Sequence, residues 1–171
     1  ANAEREATHS AMLPFTRNLF DPMDFTPMVL GDIPDRQRRT SNGFQLALPV
    51  LFTSGIQHLV TTPEQMAEMP GFVKEYLRDV PAMWDDSRFV AGYPGRHVTI
   101  ARRAGDRWYV AAIHAGPNAR RFAPDLSFTG RERGQLITDG ASWREPAQRD
   151  VALDGFDIEL EPGTGFILII E

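Results

Sequence analysis

The strongest constraint on the fold is a change of pattern near residue 82. After it, short alternating runs are separated by Gly, Asp, Asn and Pro, as in "RHVTIARR", "RWYVAAIH", "RGQLITDG", "RDVALD", "FDIELEP" and "GFILII". Alternation with period two is typical of strands with one buried face, and closely spaced turns are typical of an antiparallel sandwich. Residues 82–171 are therefore predicted to form a β-sandwich of seven or eight strands, including "DLSFTG", with a core of their own.

Residues 1–81 have helical or irregular patterns instead. Apolar residues cover nearly every side of a helix predicted for residues 40–60, which indicates a helix enclosed by other elements, although Pro49 lies inside it. Thr62, Pro63 and Gln65 have the spacing of an N-terminal capping box, and "GFVKEYLRDVP" predicts a short amphipathic helix that ends at Pro81. Such helices do not close a core alone, so we expect them to complete a larger α/β unit such as a parallel barrel.

The composition excludes several classes of protein to which this chain could belong. The chain has 171 residues, 42% of them hydrophobic, with a net charge of -5 and no cysteine. An acidic chain is a poor general binder of nucleic acid, and the absence of cysteine excludes disulfides and thiolate metal sites. The longest apolar stretch, residues 44–60, is interrupted by polar residues and predicts no membrane span. The first residues resemble no signal peptide and lack an initiator Met, so the sequence is expected to begin within a longer product.

The segment "LPFTRNLFDPMDFTPMVL", residues 13–30, is unusual because it is apolar, rich in proline and nearly free of charge. We expect it to be buried, with Arg17 and Asp24 inside it. A buried arginine needs carboxylates or carbonyls as partners, and Asp24 could accept from backbone N–H groups or from Arg17 itself. Two interpretations stay open: the two charges stabilise the segment as internal partners, or they line a substrate pocket together with His9.

The same segment resembles glycoside hydrolase family 97, whose pattern is roughly L-P-F-T-R-x-x-x-G-P-M-D-Y-T-P. The similarity continues through "LALPVLFTSGIQHLVTTPE", through "VPAMWDDSRFVAGYPGRHVTIARRAGDRWYVAAI" and into the closing "LEPGTGFILII". The motifs are long and in the family's order, and they cover most of the chain. Asp21 stands where the family usually has Gly, and Thr61 replaces the Asp that usually precedes Ser-Pro-Glu.

The resemblance implies an α+β chain in which residues 1–81 are the end of a catalytic (β/α)8 barrel and residues 82–171 are the C-terminal β-sandwich. It implies a parent enzyme that hydrolyses terminal α-linked glucose or galactose with the help of calcium, in the bacterial periplasm or outside the cell. The family's catalytic and calcium-binding carboxylates precede the L-P-F-T-R motif. This chain alone is therefore expected to be inactive, to bind no cofactor itself, and to act in packing against the rest of the barrel and in homo-oligomer contacts.

The residue types by themselves give weaker candidates for catalytic groups. Glycoside hydrolysis needs two carboxylates on either side of the scissile bond. Glu4 and Glu6 lie in a polar terminal stretch, so we interpret them as solvated and not as that pair. The alternative function is a non-catalytic carbohydrate-binding or assembly module, which a row of exposed aromatic residues such as Trp84, Trp108 and Trp143 would favour.

Overall fold

The computed structural model describes residues 2–26, 30–31 and 37–171. The described residues form five α-helices, α1 (Asn2–Ser10), α2 (Arg17–Phe20), α3 (Asn42–Leu51), α4 (Pro63–Glu68) and α5 (Gly71–Asp79). They also form eight strands, β1 (Asp86–Tyr93), β2 (His97–Ala104), β3 (Arg107–His114), β4 (Arg120–Phe122), β5 (Arg133–Asp139), β6 (Pro146–Ala152), β7 (Ile158–Leu160) and β8 (Gly165–Ile170).

The strands make two antiparallel sheets. The larger sheet has six strands in the order β1-β2-β3-β8-β5-β6, and the smaller sheet pairs β4 with β7. The predicted hairpin between β2 and β3 turns at Gly105, whose φ of +58° is a left-handed conformation that glycine adopts at little cost. The predicted antiparallel β-architecture is confirmed. The segment "DLSFTG" is an exception, because residues Ser127–Thr129 form a 3-10 turn and not a strand.

The two faces of the large sheet bury different elements. On one face, α3 packs against β2, β3, β5 and β8, and its side chains share one apolar cluster with Val98, Ile113 and Ile167. On the other face, Trp108, Leu136 and Phe166 cluster with residues of the small sheet and its loops, such as Phe122 and Leu160. Residues 82–171 were expected to have a core of their own, but one face of their sheet is covered by α3.

Helix α3 is enclosed as predicted, and all ten of its residues are buried. Its backbone comes close to β8, because a Cβ placed on Gly165 would lie 2.9 Å from Cα of Phe44 and 2.6 Å from the Ala112 carbonyl oxygen. Its N-cap is Ser41, whose hydroxyl accepts from the N–H of Phe44 at 3.0 Å.

The predicted helix over residues 40–60 is wrong beyond Leu51. Phe52 is extended, and the Thr53 N–H donates to the side-chain oxygen of Asn18 at 2.8 Å instead of continuing the helix. The carbonyls of Val50 and Leu51 accept from the guanidinium of Arg102 on β2, which occupies the end of the helix. Tertiary hydrogen bonds therefore end α3 earlier than its apolar pattern indicates.

The following helices agree with the sequence. Thr62 and Gln65 form the predicted reciprocal capping box at the start of α4. In α5, Val73 and Tyr76 are buried, and the Tyr76 hydroxyl donates to the Leu46 carbonyl of α3 at 2.7 Å. These contacts attach α5 to the enclosed helix.

The described residues before β1 contain no (β/α)8 barrel. They do contain one isolated parallel bridge, between Phe25 and Gln57, with α3 between the two bridged segments. No helix within the described ranges is long and apolar enough to cross a membrane.

Candidate substrate cleft

The predicted site residues lie around one cleft at the helical end of the molecule. His9 on α1, Arg17 on α2 and Asp24 on the segment before residue 27 all line a cavity of about 530 Å³. The rest of the lining comes from neighbouring positions on the same elements and on α3, namely Glu6, Ser10, Leu13, Met23, Phe25, Thr26, Gln45 and Leu48. The three predicted residues thus lie on one surface together with residues of α3.

Asp24 is held in place by the residues on either side of it. The N–H of Met23 donates to the Thr53 carbonyl at 3.1 Å, and Met23 is buried. The ring of Phe25 packs edge-to-face on Phe52 with centroids 4.5 Å apart. Because alternate residues of an extended segment point to opposite sides, two anchored neighbours leave the Asp24 side chain facing the cleft.

Arg17 is positioned by the same network. It begins the short helix α2, whose Asn18 amide donates to the Thr53 carbonyl at 3.0 Å and to the Thr53 hydroxyl at 2.9 Å. Asn18 thereby fixes α2 to the end of α3. The guanidinium of Arg17 itself is exposed.

The expectation that Arg17 and Asp24 are buried partners is wrong. Both side chains are exposed, and they form no ion pair with each other within the part of the chain that the structure describes. The surrounding segment is also less buried than expected, since Leu19 and Phe20 are 64% and 81% exposed. Residues 27–29 of that segment lie outside the described residues. The two charges therefore do not stabilise the segment from within, and they remain available to a ligand.

Glu6 is the residue that the sequence interpretation missed. It was taken as solvated, but it is half-buried in the cleft wall, where its Oε1 accepts from the Gln45 amide at 2.6 Å and its Oε2 accepts from the Thr40 hydroxyl at 3.2 Å. Glu4 is exposed as expected and pairs with Arg39 at 3.4 Å. The one available signal was the helical register of α1, which places Glu6 and His9 three residues apart on the same face.

The cleft therefore presents two carboxylates, a guanidinium and an imidazole around an apolar floor that includes Leu13 and Leu48. Such groups can donate to and accept from the hydroxyls of a sugar while the floor contacts its carbon-bound hydrogens. Among the described residues, no group of three or more His, Asp or Glu side chains could hold a metal ion.

The described residues do not show the exposed aromatic row that would favour a carbohydrate-binding module. Trp108 and Tyr109 are buried, and Trp84 is half-buried with its ring 5.4 Å from that of Tyr109. Trp143, between β5 and β6, is 42% exposed. Its ring lies beside Gly163, which is on the loop that precedes β8. These rings contribute to packing and do not form a continuous surface for a sugar.

Comparison with known proteins gives a consistent result. Residues 83–171 match the family model described as "Glycosyl-hydrolase 97 C-terminal, oligomerisation". A probable retaining alpha-galactosidase of Streptomyces bingchenggensis is 38% identical over 142 residues, and a retaining alpha-galactosidase of Bacteroides thetaiotaomicron is 31% identical over 185 residues. These matches cover 82% and 97% of this chain but only 22% and 28% of the relatives, so the chain spans about a quarter of their length.

A solved structure extends the similarity to three dimensions. The crystal structure of a beta-arabinopyranosidase superimposes with a TM-score of 0.90 and 32% identity. It covers 98% of this chain, including the helices before β1, and 28% of the other protein. The fold of the helices together with the β-sheets thus occurs in a larger relative.

Proposed function

Since this chain belongs to glycoside hydrolase family 97, as its C-terminal oligomerisation domain with the helices that precede it, we propose that its parent enzyme hydrolyses terminal α-linked galactose or glucose. The names of the two curated relatives favour galactose and a retaining mechanism. A retaining glycosidase uses one carboxyl group as acid and base and a second as nucleophile. We assign both groups, and the carboxylates that bind calcium, to the part of the parent that this chain does not include.

We further propose that residues 1–81 are the end of the catalytic barrel, as the family resemblance predicts. The parallel bridge between Phe25 and Gln57 supports this, because two parallel segments joined through α3 have the connection of a βαβ unit. In a barrel, the loops at the carboxyl ends of the strands surround the active site. The cleft lined by His9, Arg17 and Asp24 would then be one wall of the substrate pocket.

The exposed apolar residues of the helical part support the same assignment. Large side chains are exposed on two segments, Leu19 and Phe20 on α2 and Ile56, Leu59 and Val60 after α3. The two segments are joined by the hydrogen bonds between Asn18 and Thr53. Apolar surface of this kind requires a partner. We assign the remainder of the barrel as that partner, since about three quarters of each relative lies outside the matched region.

The single observation that carries the pocket assignment is that four titratable groups line one cleft, with no ion pair between Arg17 and Asp24 among the described residues. Its test is to replace Arg17 or Asp24 by Ala in the full-length enzyme. Loss of a charged hydrogen bond to substrate is expected to lower kcat/KM for p-nitrophenyl α-galactoside about tenfold or more. Arg78→Ala, at an exposed position on α5, is the matched control and should leave kcat/KM unchanged.

Stability separates this role from a purely structural one. Arg17 and Asp24 are exposed and have no ion pair among the described residues, so both variants should unfold within about 0.5 kcal/mol of the wild type. A large loss of stability with unchanged kcat/KM would contradict the pocket assignment. The 171-residue chain alone should release no p-nitrophenol from the α-galactoside or the α-glucoside, with or without calcium, and turnover by it would contradict the assignment of the catalytic carboxylates.

A further inference from the structure

A second cleft lies on the face of the large sheet that is opposite α3. It has a volume of about 580 Å³ and lies between β1 and β2 of the large sheet and β4 of the small sheet. Its polar lining consists of Arg88, His97, Thr99, Arg120, Arg121 and Asp125. This cleft shares no lining residue with the substrate cleft.

The arginines of this cleft differ in their partners. Arg88 and Arg121 pair with carboxylates at the rim, Asp86 and Asp157. The one acid of the lining, Asp125, accepts from the N–H of Ser127 at 2.9 Å. Arg120 has no ion pair within the described part of the chain. The guanidinium of Arg120 is therefore available to an anion in the cleft.

Aromatic rings fix the positions of two guanidinium groups. The Arg88 group lies 5.0 Å from the ring centre of Phe128 and 5.4 Å from that of Trp108. The Arg120 group lies 5.8 Å from the ring centre of Phe122. A guanidinium stacked on a ring keeps the N–H groups of its edge free for a planar or tetrahedral oxyanion. Less side-chain entropy is lost on binding when the groups are already held in place.

His97 adds a polar group that has no partner inside the protein. Its side chain is 8% exposed, lines the cleft and packs edge-to-face on Phe122, and its Nδ1 makes no hydrogen bond. His114 lies directly opposite on β3, and its Nε2 is 2.7 Å from the Asn118 carbonyl oxygen. A buried imidazole nitrogen without a hydrogen bond is unfavourable for folding, and a ligand bound in the cleft would supply its partner.

We propose that this cleft binds a small oxyanion, either a sulfate or the carboxylate of an acidic sugar, through the guanidinium groups of Arg120 and Arg88, with His97 as an additional hydrogen-bond donor. Both ligands present oxygen atoms in the geometry that guanidinium edges recognise. The apolar part of an acidic sugar would contact Phe89, which lines the cleft and is 61% exposed.

The position of His97 gives the site a specific pH dependence. Burial lowers the pKa of His97, and the positive charges of Arg120 and His114 lower it further. Tyr93 is the cross-strand neighbour of His97 on β1, and Arg88, Arg121 and Asp125 are the other charged groups of the cleft. A bound anion offsets the arginine charge and favours the imidazolium. Affinity should therefore rise as the pH falls below neutral.

The experiment is isothermal titration calorimetry of the full-length protein in a buffer of low ionic strength and low chloride. Sodium sulfate and sodium glucuronate are the two anionic probes, and glucose is the neutral control. Arg120→Gln should weaken binding of the anions about tenfold or more, since a charge-assisted hydrogen bond is lost. Arg149→Gln, at an exposed position on β6 outside the cleft, is the matched control and should bind as the wild type does.

The outcomes separate the ligands and test the proposal. Binding of both anions supports a general oxyanion site, and binding of glucuronate alone supports an acidic sugar. The proposal is overturned if neither anion binds, or if Arg120→Gln and Arg149→Gln have equal effects. His97→Gln should abolish the rise in sulfate affinity at lower pH, because sulfate does not titrate in this range. A pH dependence that persists in this variant would remove His97 from the site.

Discussion

Helices α2 and α3 both precede the strands in sequence, but they differ in how deeply they are buried. All ten residues of α3 are buried, whereas α2 buries none of its four residues and exposes Leu19 and Phe20. The difference lies in what surrounds each helix. The large sheet covers α3 on one side and α5 contacts it on another, but nothing in the described part of the chain covers the apolar residues of α2.

This comparison indicates that packing and sequence pattern divide the chain at different places. The pattern changes near residue 82, and the family match begins at residue 83. The apolar cluster beneath the large sheet nevertheless includes Phe44, Leu48 and Leu51 of α3. The assignment of residues 1–81 to the barrel remains a prediction about the parent enzyme. In the energetics of folding, α3 belongs with the strands that follow it.

The largest effect of a single substitution is expected where α3 meets β2. Arg102 is 7% exposed, burial lowers its pKa to about 10, and it donates to the Val50 and Leu51 carbonyls and, at 2.7 Å, to the Ser87 hydroxyl. A buried cation at a helix C-terminus is stabilised by the last carbonyls of the helix. Arg102→Met should lower the free energy of unfolding by about 3 kcal/mol, because it leaves these carbonyls without donors.

The neighbouring arginine supplies the control for that variant. Arg103 is partly exposed, forms a long ion pair with Asp85 at 3.9 Å and donates at 2.7 Å to the Gly105 carbonyl of an exposed turn. Arg103→Met should therefore cost about 1 kcal/mol or less. Equal losses in the two variants, measured by urea unfolding of the full-length protein, would show that Arg102 does not hold the end of α3.

A smaller effect is expected at the close approach of α3 to β8. A methyl group at Gly165 would meet the backbone of Phe44 and Ala112, neither of which can move alone. Gly165→Ala should destabilise the protein by about 1–3 kcal/mol through overpacking. Gly71→Ala is the matched control, since a Cβ there meets nothing within 4 Å and Ala is the better helix former. If both variants are as stable as the wild type, the close approach of α3 to β8 does not restrict the side chain at position 165.

The smallest effect is a dependence on pH at the other end of α3. Asp139 on β5 accepts from the N–H of Gly43 at 2.8 Å, and burial raises its pKa above the ordinary value of 3.8, although the Ser41 hydroxyl, the Gly43 N–H and the charge of Arg38 oppose this rise. The folded state then binds the proton more tightly than the unfolded state. The contribution of Asp139 is fully present below pH 3.8 and is lost as the pH rises through the raised pKa.

The test is to compare the wild type with Asp139→Asn, whose side chain stays neutral. The difference between their free energies of unfolding should move in favour of the variant as the pH rises through the acidic range, and should be constant at higher pH. Parallel stability curves throughout the acidic range would show that the carboxylate is not held in an environment that favours its neutral form.

Local patterns predicted the elements that depend on local chemistry. The capping box of Thr62 and Gln65 and the hairpin at Gly105 are examples, because their hydrogen bonds and backbone angles involve residues that are near in sequence. The turn at Ser127 was predicted as a strand, since Leu126 and Phe128 alternate with polar residues, but the Asp125 carboxylate binds the Ser127 N–H and favours a tight turn.

Long-range partners could not be predicted in the same way. Arg102 follows Val98 and Ile100 on the same face of β2, where the alternation predicts an apolar residue, and only the end of α3 explains a cation there. His9, Arg17 and Asp24 line one cleft, but their role toward a substrate stays a prediction. Arg17 and Asp24 were predicted to be buried under the rim of a barrel, and both are exposed in this chain, where the described residues contain no barrel to cover them.

The most direct test of the shared core is to remove α3. Residues 83–171 and residues 37–171 would be produced separately, and their unfolding in urea would be followed by circular dichroism together with binding of a hydrophobic dye. The longer piece should unfold cooperatively. The shorter piece should bind the dye and show no cooperative transition, because the sheet face with Val98, Ile113 and Ile167 is left uncovered. A cooperative transition of equal midpoint in both pieces would contradict the account.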